Sequence, residues 1–228
     1  MSRVRQAVFA GAAATLTRPP AAASQPSPAP VDPQGRHTFD VRAFGAAGDG
    51  KAKDTAAIQK AIDACNDARG GIVYFPPGEY LTGTLVLKSN VTLHLHVSAT
   101  IMGSTELPDY DLFGQVSKNP ASQAQPRHLL FAKNAVNIGI TGQGRVDGSG
   151  RAFWRVLTRD EVEELLVQYP IGGKVAQYWW WWKERPAQMI QFEDCKNVRI
   201  EGVRIENSPF WAVHPVRCDG LVIDGVTI

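Results

Sequence analysis

The chain has 228 residues, 44% hydrophobic and 20% charged, enough apolar material for one domain with a sizeable core and outside the range of disordered or fibrous proteins. A net charge of +2 gives no footing for a nucleic-acid partner, and three cysteines are too few for a disulfide scaffold. Beyond the N-terminus no run approaches the ~18 apolar residues of a membrane-spanning helix, so no membrane partner is expected.

Arg3 and Arg5 precede a small apolar run from Gln6 to Leu16, and Ala21-Ala22-Ala23 offers a small-residue cleavage pattern before a Pro/Ser-rich stretch ending near Pro33. Although Arg18, Pro19 and Pro20 interrupt it, this layout reads as an export signal and linker over residues 1–36, with a secreted or periplasmic product. A folded domain is expected over 37–228. It opens with a β-like run, Thr38 to Val41, and a loop marked by Gly45, Gly48 and Gly50. Asp54 stands as the N-cap of a helix whose Ala57, Ile58, Ala61, Ile62 and Cys65 keep helical spacing up to Gly70-Gly71. Ile72-Val73-Tyr74-Phe75 then reads as a buried strand stopped by Pro76-Pro77-Gly78.

From there the chain repeats itself. Asn197 to Ile205 matches Gly220 to Ile228 in apolar character, 23 residues later, and Cys195 and Cys218 share that offset. Weaker copies begin at Asn90 and Asn134, placing Val91 45 residues before Val136, close to two periods. Two short alternating strands per unit, separated by Gly202 or Gly225 at the bend, are what one solenoid coil needs. Ile200 and Ile223 then face inward, where stacked coils bury a core that no single coil could bury. The architecture expected is all-β, a right-handed parallel β-helix with the N-terminal α-helix capping its open end; the competing architecture is an antiparallel sandwich. An insertion over roughly 151–186 carries a second helix, from Thr158 to Gln168. Thr158 and Glu161 form a capping box, Val162, Leu165 and Leu166 share a face, and the run Trp179 to Trp182 follows.

Several segments resemble glycoside hydrolase family 28, the polygalacturonases and their relatives. They are Phe39 to Gly50, Asp54 to Gln59, Gly71 to Gly78, Gly142 to Gly148 and, most distinctively, Asn207-Ser208-Pro209-Phe210-Trp211-Ala212-Val213-His214-Pro215. The resemblance implies inverting hydrolysis of galacturonic-acid-type linkages in pectin, with a pectic polysaccharide or oligogalacturonide as the partner of a monomeric, cofactor-free enzyme. Such a mechanism needs two carboxyls about 6.5–9.5 Å apart. The family's Asn-Thr-Asp, Asp-Asp, Gly-His-Gly and Arg-Ile-Lys motifs are absent, so no catalytic residue carries over. The expectation is the N-terminal part of such an enzyme, incomplete at its C-terminus and inactive alone. Two rivals stand beside it: a non-catalytic polysaccharide-binding or structural β-helix, and a pectate-lyase-like eliminase, against which the Ser208 to Pro215 segment argues.

Trp211 and His214 are the candidate substrate-binding residues. They lie seven and four positions before Cys218, which by the family's register puts them about one coil below the catalytic acid. A sugar-stacking indole and a carboxylate-binding imidazole suit that place, as does burial as ladder residues under the groove. No metal site is expected: Asp109 with Asp111, and His94 with His96 on one strand face, have two-apart spacing but no further ligands close by. Asp147 reads as a turn former, and Cys195 and Cys218 as vertical neighbours close enough for a bridge, although parallel stacked side chains favour free thiols.

Overall fold

A strand that buries one face needs a neighbour above and below it, and the chain supplies these by winding. The computed structural model describes residues 35, 37–115, 124–168, 180–182 and 184–228. Nearly all of the expected leader, and Trp179, lie outside the described residues. Three parallel sheets form the walls. The first stacks Thr38–Asp40, Gly71–Phe75, Val91–Leu95, Val136–Gly142, Lys196–Glu201 and Asp219–Asp224. The second stacks Asp49–Lys53, Gly78–Thr82, Ala99–Gly103, Arg145–Asp147 and Arg204–Glu206; the third stacks Leu85–Val86, Leu130–Lys133, Ile190–Glu193 and Val213–Val216. The chain visits third, first and second sheet in turn, giving a right-handed parallel β-helix rather than a sandwich.

Register explains the core. Val73, Leu93, Ile140 and Ile200 pair in succession across the first sheet and are all fully buried. Tyr80, Ile101, Val146 and Ile205 form the matching column in the second sheet, and Leu85, Leu130 and Ile190 in the third. Like side chains meet like at each level because parallel in-register strands place equivalent residues directly above one another. The helix α1, Thr55–Asp67, closes the lower end with Ile58, Ala61, Ile62 and Cys65 turned inward; burial pushes the Cys65 thiol up to about 12.

Three sequence expectations shift. Asp54 precedes α1, but its carboxylate accepts from the backbone N–H groups of Ala47 and Gly48, 2.7 and 3.0 Å away, so it ties down the glycine loop instead of capping the helix. That loop also contains the second sheet's first strand, Asp49–Lys53. The upstream repeat is offset by 47 residues, not 45: Thr92 faces Gly139 and Leu93 faces Ile140. Two left-handed positions recur around the turn from the third sheet to the first. Asn90, Asn137 and Asn197, at φ 64, 57 and 53°, make one stack, in which each amide donates to the one below at 2.8 and 2.9 Å. Asn134, Asp194 and Arg217 make the other, so an alignment of Asn134 with Asn90 pairs two different positions of one turn. The period of 23 in the last two coils is as read, with Ile200 opposite Ile223, and Gly202 and Gly225 bend at φ 74 and 59°.

Ile223 keeps its register but not its burial; it is 46% exposed at the end of the stack. Ile200→Asp therefore strands a charge between Ile140 and Ile223 and should cost roughly 4 kcal/mol or more, whereas Ile223→Asp should cost under about 1 kcal/mol. Urea unfolding of both variants checks this, and equal losses would contradict the inward ladder.

Candidate functional site

The coils are tight at two corners and loose at the third. Residues 104–129, 148–189 and 207–212 all join the second sheet to the third, and Phe113 and Trp211 of these connections lie against outward residues of the third sheet. The largest carries α2, Arg159–Gln168, opened by the expected box: Glu161 Oε2 accepts from the Thr158 N–H at 2.9 Å, and Thr158 Oγ1 accepts from the Glu161 N–H at 3.4 Å. Trp180–Trp182 pair antiparallel with Trp154–Val156.

Along the third sheet, Leu130, Ala132, Ile190 and Phe192 fill the core, which by alternation turns Phe131, Lys133, Gln191, Glu193, His214 and Val216 outward. Phe131, Gln191 and His214 make one vertical row, and Lys133, Glu193 and Val216 the next. Phe131 is covered by Phe113, 3.9 Å between ring centroids, and by His128 at 5.5 Å. His128 donates from Nδ1 to the Gln188 carbonyl at 2.8 Å. Burial lowers its pKa, against the opposing effects of that hydrogen bond and the Glu193 charge.

Glu193 and Lys133 form an ion pair at 3.0 Å, and Glu193 also accepts from Gln191 Nε2 at 3.1 Å. Burial pushes the Glu193 carboxyl up, but the hydrogen bonds from Lys133 and Gln191 outweigh it, and the carboxyl is held below its ordinary value. Gln191 Oε1 lies 2.7 Å from His214 Nδ1. Next to His214 the Trp211 ring stands edge-on at 5.0 Å, Phe210 stacks on Trp211 at 5.3 Å, and the Arg185 guanidinium sits 4.9 Å from the centre of the Phe210 ring.

The two sequence candidates thus come together. Trp211 is 52% exposed and His214 half-buried, which favours a surface role for the indole over burial beneath a groove. Together they present an apolar platform beside polar groups, suited to a flat, hydroxylated ligand. Glu193 is the one carboxylate among the outward residues of this sheet's described strands, and it is tied to Lys133.

The other candidates disperse. Asp109 accepts from Ser104 and from Lys53, which holds a loop in place. Asp147 accepts from the Ser149 N–H and the Asn207 amide, a turn former as expected. His94 and His96 do not share a strand face, because the strand ends at Leu95. His94 stacks on Tyr74 and contacts Thr141, and His96 Nδ1 accepts from the Ser98 N–H. Cys195 and Cys218 are free thiols on successive coils.

Sequence reasoning missed Gln191, Glu193, Lys133, His128 and Arg185. The 23-residue period, run backwards from His214, would have found Gln191; the offset of 60 that relates Phe131 and Lys133 to Gln191 and Glu193 spans an insertion and hides that relation.

The ion pair has a pH signature. Glu193 is depressed in the fold, so its stabilisation is complete above its ordinary value of 4.5 and is lost as pH falls through the folded value. Lys133→Met should lower stability by about 0.5–1 kcal/mol at neutral pH, with the difference from wild type shrinking in acid. Denaturation series at several pH values measure it; a difference that persists unchanged in acid would rule the pair out as its source.

A family model described as rhamnogalacturonase A/epimerase, pectate lyase-like matches residues 38–174. A probable polygalacturonase of Vitis vinifera is 28% identical over 200 residues, covering 84% of this chain and 37% of the relative. An exo-poly-alpha-D-galacturonosidase of Dickeya chrysanthemi is 40% identical over 142 residues, 58% of this chain and 22% of the relative. The crystal structure of a hyperthermoactive exopolygalacturonase from Thermotoga maritima superposes with a TM-score of 0.61 at 26% identity, covering 87% of this chain and 47% of that one. The chain spans less than half the length of each of these relatives.

Proposed function

Because the chain belongs to the rhamnogalacturonase A/epimerase, pectate lyase-like family, we propose that it forms part of a pectin-degrading glycoside hydrolase of the polygalacturonase type; the export signal and linker read over residues 1–36 would carry it out of the cytoplasm. It binds galacturonic-acid-type chains across the outer face of the third sheet. The observation that carries this reading is the Trp211–His214 pair, 5.0 Å apart on that face, in a chain whose matched relatives include named polygalacturonases. An exposed indole stacks on a sugar ring.

Hydrolysis by inversion needs an acid that keeps its proton and a second carboxylate to activate water. Glu193, ionised and paired with Lys133, is not that acid, and no second carboxylate stands among the outward residues of this sheet's described strands. The described face is therefore a binding face, and the 228 residues bind without cutting.

Titration of the protein with oligogalacturonate, followed by tryptophan fluorescence and by calorimetry, tests this. Binding is expected, weakened about tenfold in Trp211→Ala, a loss near 1.4 kcal/mol. Reducing-sugar release should stay at background. Failure to bind oligogalacturonate, or affinity unchanged in Trp211→Ala, would overturn the assignment of this face. Appearance of an unsaturated product would instead favour an eliminase.

A further inference from the structure

Gln191 occupies a position that no motif marks. It stands between Phe131 and His214 in the outward row of the third sheet and is 5% exposed. Two hydrogen bonds hold its amide, one to Glu193 Oε1 at 3.1 Å and one to His214 Nδ1 at 2.7 Å, and Glu193 is in turn paired with Lys133 at 3.0 Å. The four side chains form one continuous chain of contacts across three coils.

The chemistry of donors and acceptors gives that chain a direction. A carboxylate paired with an ammonium has no proton to give, so the Gln191 amide turns its NH2 toward Glu193 and its carbonyl oxygen toward His214. That oxygen can only accept. His214 Nδ1 must therefore carry a hydrogen, and in the neutral ring Nε2 is then a bare lone pair. Among the described residues Nε2 has no hydrogen-bond partner, and the ring lies beside the exposed Trp211 indole.

We propose that Gln191 is a positioning residue that, anchored by Glu193 and Lys133, holds His214 in the Nδ1–H form and so presents Nε2 as an acceptor for a hydroxyl of the bound saccharide. The ligand in this statement rests on the binding reading above; the tautomer does not. The consequence differs from the carboxylate-binding role expected for this histidine. In its neutral form the Nδ1–H ring has an acceptor at Nε2 and cannot donate to a uronate carboxylate, whose oxygens are acceptors too. In that form His214 reads a hydroxyl rather than a carboxylate.

The test uses the whole chain labelled with [15N]histidine. Long-range 1H–15N spectra at pH ~8, where an ordinary imidazole is neutral, show which ring nitrogen carries the proton. His214→Asn identifies the signals. In wild type, Nδ1 should show the shift of a protonated nitrogen and Nε2 that of a bare one. In Gln191→Leu, with folding checked by circular dichroism, the two shifts should converge or exchange. The double exchange Gln191→Glu with Glu193→Gln keeps an acceptor toward His214 and a donor toward residue 191, so it should restore the wild-type pattern. A protonated Nε2 in wild type, or a pattern unmoved by Gln191→Leu in a folded protein, would overturn the assignment. Oligogalacturonate should then move the Nε2 resonance upfield while the tautomer persists. Binding that leaves Nε2 unmoved would overturn the hydroxyl contact. Absence of any binding would overturn the reading of the face and leave the tautomer result standing.

Discussion

The structure depends on coil-to-coil register. Each coil presents only a few apolar side chains, too few to hide from water alone, and becomes stable when the same positions of the next coil settle directly on them. The column of Val73, Leu93, Ile140 and Ile200 is the direct expression of that constraint. A slip of one residue would turn each column outward, because side chains alternate faces along a strand. The left-handed positions keep the register from slipping. Around the turn from the third sheet to the first, the asparagine stack of residues 90, 137 and 197 holds the levels by its own amide ladder, and the bidentate pairing of Arg217 with Asp194 ties two levels beside it.

Function follows from where that constraint is relaxed. Two of the three corners are too tight for insertions, and the third accepts them freely. The long connections therefore all join the same two sheets, and Phe113 and Trp211 from them pack on Phe131 and His214, outward residues of the third sheet. The same stacking that builds the core also aligns these outward residues. Phe131, Gln191 and His214 stand in a row because Leu130, Ile190 and Val213 do so on the inside. A saccharide chain lying along the stack would meet groups repeated at the coil spacing of about 4.8 Å.

The polar row illustrates how a buried network gains direction. Lys133, Glu193, Gln191 and His214 come from three coils, and each link leaves its neighbour one way to point. In water each of these groups would exchange partners freely. Nearly sealed as Gln191 is, an amide turned the wrong way would put oxygen against oxygen at Glu193, at a cost comparable to a lost buried hydrogen bond, about 1–3 kcal/mol or more against a charge. Sealing thus turns a set of ordinary contacts into a fixed protonation pattern on one imidazole.

Much of this was legible in the amino-acid order because a solenoid writes its fold locally. Alternation gave the strands, the helical spacing from Ala57 to Cys65 gave the cap, the 23-residue echo of Asn197 to Ile205 gave the stacking, and the Asn207 to Pro215 segment brought Trp211 and His214 forward. What the chain's order could not decide lay wherever distant coils meet. The 47-residue offset depended on which of two asparagines at one turn faces which, and Asp54 keeps the N-cap position while the preceding loop takes its carboxylate. Burial of Ile200 but not Ile223 depended on what lies above each. The partnership of Gln191 with His214 needed the strands laid side by side, since a hydrogen bond's direction is set by the groups at both ends and those groups are brought together only by the tertiary fold.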